Sequence, residues 1–465
     1  MIKFTKFTDK DLKKIQKFTG KSPYKVCDIS AGVLFMWNDL YNLSYAIFNE
    51  TLILKCNFKN KFTAFFLPVG SDFDGALSQI ENYVEKNHLP LSFMCVEDEY
   101  LQVLSNRYNG NLVSEFNRDY SDYIYDYQQL RNLVGKKFSG QRNHINSFNK
   151  NYPDSVFKPL KKSDVPRIKE FLKEYKKEHR CGGRVERAEY KNTLKLIDNL
   201  SLASYVGGYM EIGGKMCSFT IGEYVGETFV IHIEKALKNY KGIYPSTFNA
   251  FVKASEKSGV LYINREDDSG DLGLRTSKTQ YQPIRLLHKH FVTVNKPMQI
   301  KKRPKLKGER LYLSKIKESD KTAYYNLYVN KSLNKYWGYD YKKDIEIPTE
   351  DAFYKMQERD FKVKDNMCLG IFENKKTNLI GEVVLHNFTY SNKVEVGVRL
   401  LKKYHGKGYG AEAVKLIANY AKYELNLSPV AKCYKKNAPS LSCLKKAGFV
   451  VKNADKIYYY LDFEN

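Results

Sequence analysis

Three glycines at alternate positions, Gly406, Gly408 and Gly410, separate the run Val394-Glu-Val-Gly-Val398 from the apolar-periodic run Ala411–Tyr420. Glycine lets the backbone turn sharply and brings bare amides close to a ligand. A helix that opens on such a corner leaves its first N–H groups free to hold phosphate. His405, Lys407 and Tyr409 complete the loop, and Lys402 and Lys403 add charge beside it. The chemistry on offer is capture of a phosphate, with a glycine-rich corner that holds nothing as the alternative for these residues taken alone. A second reactive group is Asn264–Asp271, which contains Glu266, Asp267, Asp268 and Asp271 with Arg265. It follows a strand, where its carboxylates suit a substrate ammonium, and Arg275, Lys278 and Arg285 after it suit a phosphate. A surface acid–base network is the alternative. A third is the basic stretch Lys136, Lys137, Arg142, His144 and Lys150, interleaved with Phe138 and Phe148. Cations with aromatics suit phosphates and stacked bases, whereas a solvated helix between domains would look the same.

These residues need elements to hold them. Val394, Val396 and Val398 alternate as in a strand, and Ala411, Val414, Leu416, Ile417 and Tyr420 recur at helical spacing. A second strand, Val430–Tyr434, leads to Asn437-Ala-Pro-Ser440 and a short helix ending at Ala447-Gly-Phe449. Upstream, strands are expected at Leu52–Cys56, Phe62–Leu67 and Leu91–Cys95, with a helix from Phe73 to Lys86. From 156 to 295 come a helix around Val165–Tyr175 and a Gly213-Gly214 hairpin between strands Ser204–Ile212 and Lys215–Tyr224. Strand Thr228–Lys235 then carries His232 and Glu234; a histidine inside an alternating strand is either a base or a hydrogen-bonded core residue. The loop Asn239–Pro245, a helix to Lys257 and strand Leu261–Asn264 repeat the order strand, glycine loop, helix, strand. Only one loop glycine is present there, and Pro245 lacks an N–H, so this copy is not expected to hold the same phosphate. Alternating strands and helices give an α/β or α+β layer.

At 465 residues the chain exceeds one ordinary core. The expected domains are 1–150, 151–295 and 308–465, with 296–307 as a basic, proline-punctuated linker. The charged start of the chain lacks the apolar region of a signal peptide, and no apolar run is long enough to span a bilayer. Eight cysteines are scattered singly, which reads as reduced thiols of a cytoplasmic protein, with no metal expected. A net charge of +25 favours polyanions such as RNA, anionic lipid surfaces or phosphorylated cofactors. A chain loaded with Lys, Asn, Ile and Tyr acquires the same charge from composition alone.

Strand, phosphate loop, helix, strand, Asn-x-x-Ser, helix and Gly-Phe is the order of Gcn5-related N-acetyltransferases. The chain from about 305 onward resembles their ribosomal-protein and spermidine acetylating branch. The resemblance implies acetyl-CoA, its pyrophosphate on His405-Gly-Lys-Gly-Tyr-Gly410, with His405 standing where Gln or Arg is usual, and its pantetheine arm on Asn437. It makes Glu395 the base, acting through water, and places an oxyanion donor near Val396–Val398. Leu444 stands where many relatives carry a tyrosine acid, which leaves Ser440, water or no acid at all for that role. Trp337 falls where this branch shapes its acceptor pocket; an aromatic core patch is the alternative.

Residues 1–293 resemble a second family. Lys136–His144, His232-Ile-Glu-Lys235, Gly242-x-Tyr-Pro245, Asn264–Gly270, Gly273-Leu-Arg275 and Lys278-x-x-Tyr-x-Pro283 are similar to the phosphatidylglycerol lysyltransferase C-terminal domain family. That resemblance implies a tandem of acetyltransferase-like folds. The whole chain is then α/β (α+β), with three such domains in tandem, each a mixed, mostly antiparallel sheet flanked by helices. It also implies aminoacyl-tRNA as co-substrate, with Asp267, Asp268 or Asp271 near the amino acid and Arg142, Arg275 and Lys278 near phosphate; His144, His232 and Glu234 belong to the same candidate site. Membrane-anchored members of that family pass an aminoacyl group to a lipid; this chain lacks their membrane helices and carries Gln141 where a basic residue is common. The expectation is a bacterial composite acyltransferase. Its acceptor is an amine on a small molecule, peptide or lipid headgroup, tRNA is a partner, and contact with anionic surfaces is peripheral. The competing reading is an RNA- or tRNA-binding protein on inert acetyltransferase folds.

Overall fold

The computed structural model describes residues 2–58, 62–178, 184–337, 340–343, 345–374 and 376–464. Two compact units emerge, residues 1–83 with 92–293 and residues 84–91 with 294–465. Among the described residues the strands form sheets of eight, seven and eight.

The first unit holds two of these sheets. Its first sheet takes Leu43–Phe48, Thr51–Phe58, Phe62–Phe65 and Leu91–Glu97 in order, then Lys289–Val294 and Leu112–Phe116. Its second sheet runs Arg285–Leu287, Asp122–Asp126, Tyr262–Asn264, Thr228–Ala236, Lys215–Val225, Val206–Ile212 and Val156–Pro159. A line at residue 150 therefore does not separate the sheets. Asp122–Asp126 belongs to the second sheet, and Lys289–Val294 returns to the first. This exchange of strands brings residues far apart in sequence into one interior.

Each sheet contains a parallel pair joined through a helix. In the first, Phe65 faces Phe93, and helix Phe73–Lys86 lies between their strands in the chain. In the second, Thr228–Val230 pairs with Tyr262–Asn264 around helix Ile243–Ala254. In the third, Lys393–Glu395 pairs with Ser428–Val430 around helix Tyr409–Asn419. The last two helices start alike, from Gly242 at φ 85° and Gly408 at φ 82°, left-handed conformations that glycine adopts at no steric cost.

In the second unit the sheet runs Leu306–Lys307, Leu311–Ser314, Met367–Glu373, Leu379–His386, Lys393–Leu400, Ser428–Tyr434, Tyr458–Phe463 and Phe449–Ala454. Side chains alternate across a strand. Val394, Val396, Ala431, Cys433 and Leu461 therefore point into a core shared with Ala413, Val414 and Ile417 of the Tyr409–Asn419 helix. Met298 and Ile300, inside the segment read as a linker, are buried in this same core. On the opposite face Cys368 and Val384 pack against Tyr324, Leu327, Tyr328 and Phe353 of helices Lys321–Val329 and Glu350–Lys362. The described cysteines are all free, and five are buried. No described helix is long and apolar enough to cross a membrane.

Candidate functional site

The parallel ladder of the third sheet ends at the pair Glu395–Val430. Among the described residues the strand edge at 396–400 has no ladder partner on that side, so its backbone groups are left unpaired toward the carboxyl ends of the strands. Ligands of α/β sheets bind in such a place. The glycine corner follows this strand in the chain. A side chain on Gly406 would meet nothing, and one on Gly408 would come 3.1 Å from Nη2 of Arg310. The first-turn amides of helix Tyr409–Asn419 have no acceptor within the helix. Arg310 donates through Nη1 to the Lys407 carbonyl (2.8 Å) and through Nε to Glu412 (2.8 Å), which holds its guanidinium over the corner. A fixed cation, open glycines and free amides fit a pyrophosphate.

The other loop residues divide their work. His405 donates from Nε2 to the Leu400 carbonyl (2.9 Å), which ties the loop back to the strand. Tyr409 donates to Glu373 (2.9 Å). Gly410 is buried, and a Cβ there would stand 3.1 Å from the sulfur of Cys443, so this glycine serves helix packing. Asn437 caps helix Ala438–Lys446 by accepting from the Ser440 amide (3.4 Å), which leaves its amide donors for a ligand and half-buries Ser440 beside it. Leu444 is buried in the core.

Glu395, Gly397 and Arg399 alternate onto the face away from that helix. Asn387 donates to Oε2 of Glu395 (2.9 Å) and orients it. Trp337 covers Gly397, its ring 3.2 Å from where a Cβ would stand, with Nε2 of His386 at 3.7 Å. Trp337 in turn stacks on the guanidinium of Arg399 (4.3 Å), which is sandwiched on its other side by Tyr328 (4.1 Å). Arg399 is buried with Glu382, to which Nε donates at 2.8 Å, and also donates to Asn334. Trp337 thus covers Gly397, on the same strand face as the candidate base, and is anchored by a buried ion pair.

The tandem unit uses its acids differently from the expectation. Asp268 is buried and binds Arg118, Arg275 (3.0 and 2.9 Å) and the Tyr123 hydroxyl (2.7 Å). Burial opposes its charge, but these donors hold its carboxyl well below the usual range. Arg275 also binds Asp119 (2.7 Å), so Asp268 and Arg275 are mutually satisfied. Asp271 caps helix Leu272–Thr279 through the Leu274 amide (2.7 Å) and is exposed. Lys278 donates to the carbonyls of Arg265 (2.6 Å) and Asp267. Arg142 donates to the carbonyls of Leu133 and Gly135, and His144 is exposed on helix Ser139–Asn151. The backbone of that helix occludes the second glycine corner: a Cβ on Gly242 would lie 2.7 Å from the His144 carbonyl oxygen. A carbonyl set against a helix N-terminus takes the place an anion would need. The second fold therefore does not offer the phosphate site of the third.

What the first unit does assemble is a buried charge cluster. Lys289 donates to Asp28 (2.8 Å), Asp122 (2.8 Å) and Asp267 (3.2 Å), with the Cys27 sulfur at 3.7 Å. Its side chain is 5% exposed, and those of Asp28, Asp122 and Asp267 are 11%, 0% and 20% exposed. Asn264 joins it, donating to Asp122 (2.8 Å) while accepting from the Glu266 amide (2.6 Å). Glu234 binds Arg265, whose guanidinium packs against both Phe248 (4.4 Å) and Tyr281 (4.7 Å). His232 bridges Glu223 (Nε2, 2.9 Å) and Glu266 (Nδ1, 2.8 Å), and a Cβ on Gly32 would collide with it at 2.6 Å.

Burial disfavours a charged His232, but the hydrogen bonds to Glu223 and Glu266 outweigh it and raise the ring to about 9. A free imidazole titrates near 6.5. The folded value is the higher, so this stabilisation is complete below about pH 6.5 and is lost as pH rises through about 9. Thermal unfolding should therefore show a less stable protein at pH 9.5 than at 6.5, with His232→Gln flattening the difference. An equal slope in both proteins would remove His232 from the pH dependence.

Among the described residues two clusters have metal-ligand types, Asp98 with His288 and His290, and Cys27 with Asp28 and Asp122. The Lys289 ammonium already sits in the second. Arg310, Asp28, Asp122 and Lys289 were not legible as site residues, since the partners that define the site lie far away in the chain, and Asn387 and Glu223 were not, since their partners, eight and nine residues away, meet them only when neighbouring strands pair.

The sequence profile described as phosphatidylglycerol lysyltransferase, C-terminal, matches residues 21–293, and that of the acetyltransferase (GNAT) domain matches residues 310–450. A crystal structure of a conserved protein of unknown function from Bacteroides thetaiotaomicron is 30% identical, with a TM-score of 0.60 over 63% of this chain and 100% of its own. An uncharacterized N-acetyltransferase of Bacillus subtilis is 35% identical over 71 residues, 15% of this chain and 42% of its own. An uncharacterized protein of Mycoplasmoides gallisepticum is 22% identical over 197 residues, 42% of this chain and 62% of its own. The chain thus spans less than two thirds of these two curated relatives.

Proposed function

We propose that this chain, which belongs to the phosphatidylglycerol lysyltransferase C-terminal family over residues 21–293 and carries a GNAT domain at 310–450, is a cytoplasmic composite acyltransferase. In this reading the C-terminal domain is an acetyl-CoA-dependent N-acetyltransferase, and the tandem unit is a lysyltransferase-like enzyme that takes aminoacyl-tRNA. The observation that carries it is the open glycine corner under Arg310, reached from a strand that carries Glu395 and, two positions on, Gly397 under a half-buried Trp337.

Acetyl-CoA, when bound, supplies a thioester acyl group. The 406–411 amides and Arg310 hold its pyrophosphate, and the donors of Asn437 hold the pantetheine arm. Glu395, oriented by Asn387, accepts a proton from the acceptor amine through water, because only the neutral amine is nucleophilic. The unpaired edge beyond Glu395 offers backbone N–H groups to a developing oxyanion. Trp337 closes the acceptor side and excludes water. In the tandem unit Asp271 is exposed, and Glu266 and Asp267, though paired with His232 and Lys289, keep 26% and 20% of their side chains exposed; these are the acids of the group within reach of an aminoacyl group.

The test is calorimetry with acetyl-CoA on the full chain. Gly408→Glu forces a non-glycine residue into φ 82° and sets a carboxylate where the pyrophosphate lies. It should weaken binding at least about tenfold, the worth of one lost charge-assisted contact. Unchanged affinity in a folded variant would remove acetyl-CoA from this corner. For the tandem unit, the full chain is incubated with charged tRNA and assayed by mass spectrometry for deacylation or an aminoacyl adduct. Absence of binding to charged and uncharged tRNA alike at low salt would count against a tRNA-dependent transferase.

A further inference from the structure

We propose that the amine acceptor of the C-terminal domain is the aminoacyl group at the end of a charged RNA, whose terminal bases stack on a tyrosine strip beside Glu395. This rests on the acetyl transfer proposed above and names its substrate class.

The strip follows from strand register. Glu395 pairs with Val430, Lys432 with Tyr460 and Tyr434 with Tyr458, so these residues share one face of the sheet. Cys368, Val384 and Gly397 lie on the same face by pairing. Over Cys368 and Val384 that face is covered by helices Lys321–Val329 and Glu350–Lys362. Over the Ser428–Tyr434 and Tyr458–Phe463 strands it carries half-exposed tyrosines and an exposed Lys432. The rings are continuous: Tyr336 lies 5.5 Å from Tyr434, and Tyr434 lies 4.5 Å from Tyr458. Tyr336 precedes Trp337, which covers Gly397 two positions from Glu395, so the strip lies on the face that carries the candidate base.

Its charge selects the occupant. Lys432 stands 4.1 Å from the Tyr458 ring and Lys335 5.2 Å from Tyr336. The acids on or beside this face include Glu382, buried against Arg399, and Glu395, Asp462 and Asp455. Asp455 is engaged by the Tyr460 hydroxyl (2.7 Å) and the amides of Ile457 and Tyr458. A free polyamine would meet lysines where it needs carboxylates. A strand of phosphates finds cations alternating with planar rings, the arrangement on which single-stranded bases stack. Nucleobase amines have delocalised lone pairs and are poor nucleophiles. An aminoacyl α-amine is a good one, and near neutral pH a deprotonation by Glu395 readies it. The α-nitrogen forms a bond to the acetyl carbonyl carbon as the carbon–sulfur bond of acetyl-CoA breaks. The amine proton passes through water to Glu395, and the thiolate leaves and is protonated to free CoA thiol.

The full chain with labelled acetyl-CoA is given four acceptors at equal concentration. They are a short RNA hairpin charged with alanine at a single-stranded 3′ end, spermidine, a peptide with a free N-terminus, and vesicles of aminoacyl phosphatidylglycerol. The charged hairpin should be acetylated with a kcat/KM at least about tenfold above the others, since each stacked base contributes about that factor. Tyr434→Ala should raise its KM about tenfold and leave acetyl-CoA affinity unchanged, while Tyr434→Phe, which keeps the ring, restores it. Preference for spermidine, peptide or lipid, with acetyl-CoA bound and turned over, overturns the RNA acceptor and leaves acetyl transfer standing. Loss of KM discrimination in neither tyrosine variant also overturns it. Failure to bind acetyl-CoA at all brings down both readings.

Discussion

Replacing Glu395 by Gln should slow acetyl transfer by about 10²–10⁴, the usual worth of a positioned general base. The substitution is isosteric. The amide oxygen of Gln can still accept from Asn387, which now donates to Oε2 at 2.9 Å, so the strand and Trp337 keep their places. Acetyl-CoA contacts the glycine corner and Asn437 in the proposed reading, not Glu395, so its affinity should stay within about twofold of the parent. Steady-state kinetics with calorimetry on the same preparation separates the effects. A fall in affinity equal to the fall in turnover would make Glu395 a structural residue, and full turnover would move the base elsewhere.

Removing the charge of Lys289 should be the most damaging single change in the tandem unit. Burial opposes the ammonium, but the carboxylates of Asp122 and Asp28 more than offset this and hold it protonated. Lys289→Met would leave Asp28, Asp122 and Asp267 facing one another with almost no access to water. Breaking a buried pair by deleting one partner costs about 3–5 kcal/mol, because the stranded charges lose their compensation. The carboxylates of the variant would titrate above their unfolded values. The folded state would then bind more protons than the unfolded one, and the variant would regain stability as pH falls. Denaturant unfolding at pH 7.5 and 5 measures both effects, and Asp122→Asn added to Lys289→Met should recover part of the loss. A variant as stable as the parent at pH 7.5 would show that the cluster is open to solvent.

Local pattern was enough for the elements that carry the C-terminal chemistry. Alternation at Val394–Val398, glycines at 406, 408 and 410 and helical spacing from Ala411 specify a strand, a corner and a helix from neighbouring residues alone. The helix Phe73–Lys86 was legible to its ends because Ala76, Leu77 and Ile80 recur on one stripe, and all are buried. The ordered motifs up to Pro283 likewise carried the lysyltransferase likeness without any geometry. Glu395 could be named for the same reason: it is the carboxylate of the strand that runs into the corner.

What a side chain pairs with was decided elsewhere. The acids of Asn264–Asp271 read as a site for a substrate ammonium, yet Asp267 meets Lys289, Asp268 meets Arg118 and Arg275, and Glu266 meets His232. Those partners lie up to 150 positions away in the chain. Asp122–Asp126 and Lys289–Val294 reach them by entering the sheet that chain order would assign to the other fold. The two glycine corners look related in sequence and share a left-handed start, but one faces a guanidinium and the other a backbone carbonyl. Sequence alone determined where a backbone could turn and which faces would be apolar, since these follow from φ preferences and periodicity within a few residues. Only the tertiary structure decided which corner stays open and which charges remain unspent, because electrostatic compensation depends on distance in space, and the chain sets that distance only once its sheets have exchanged strands.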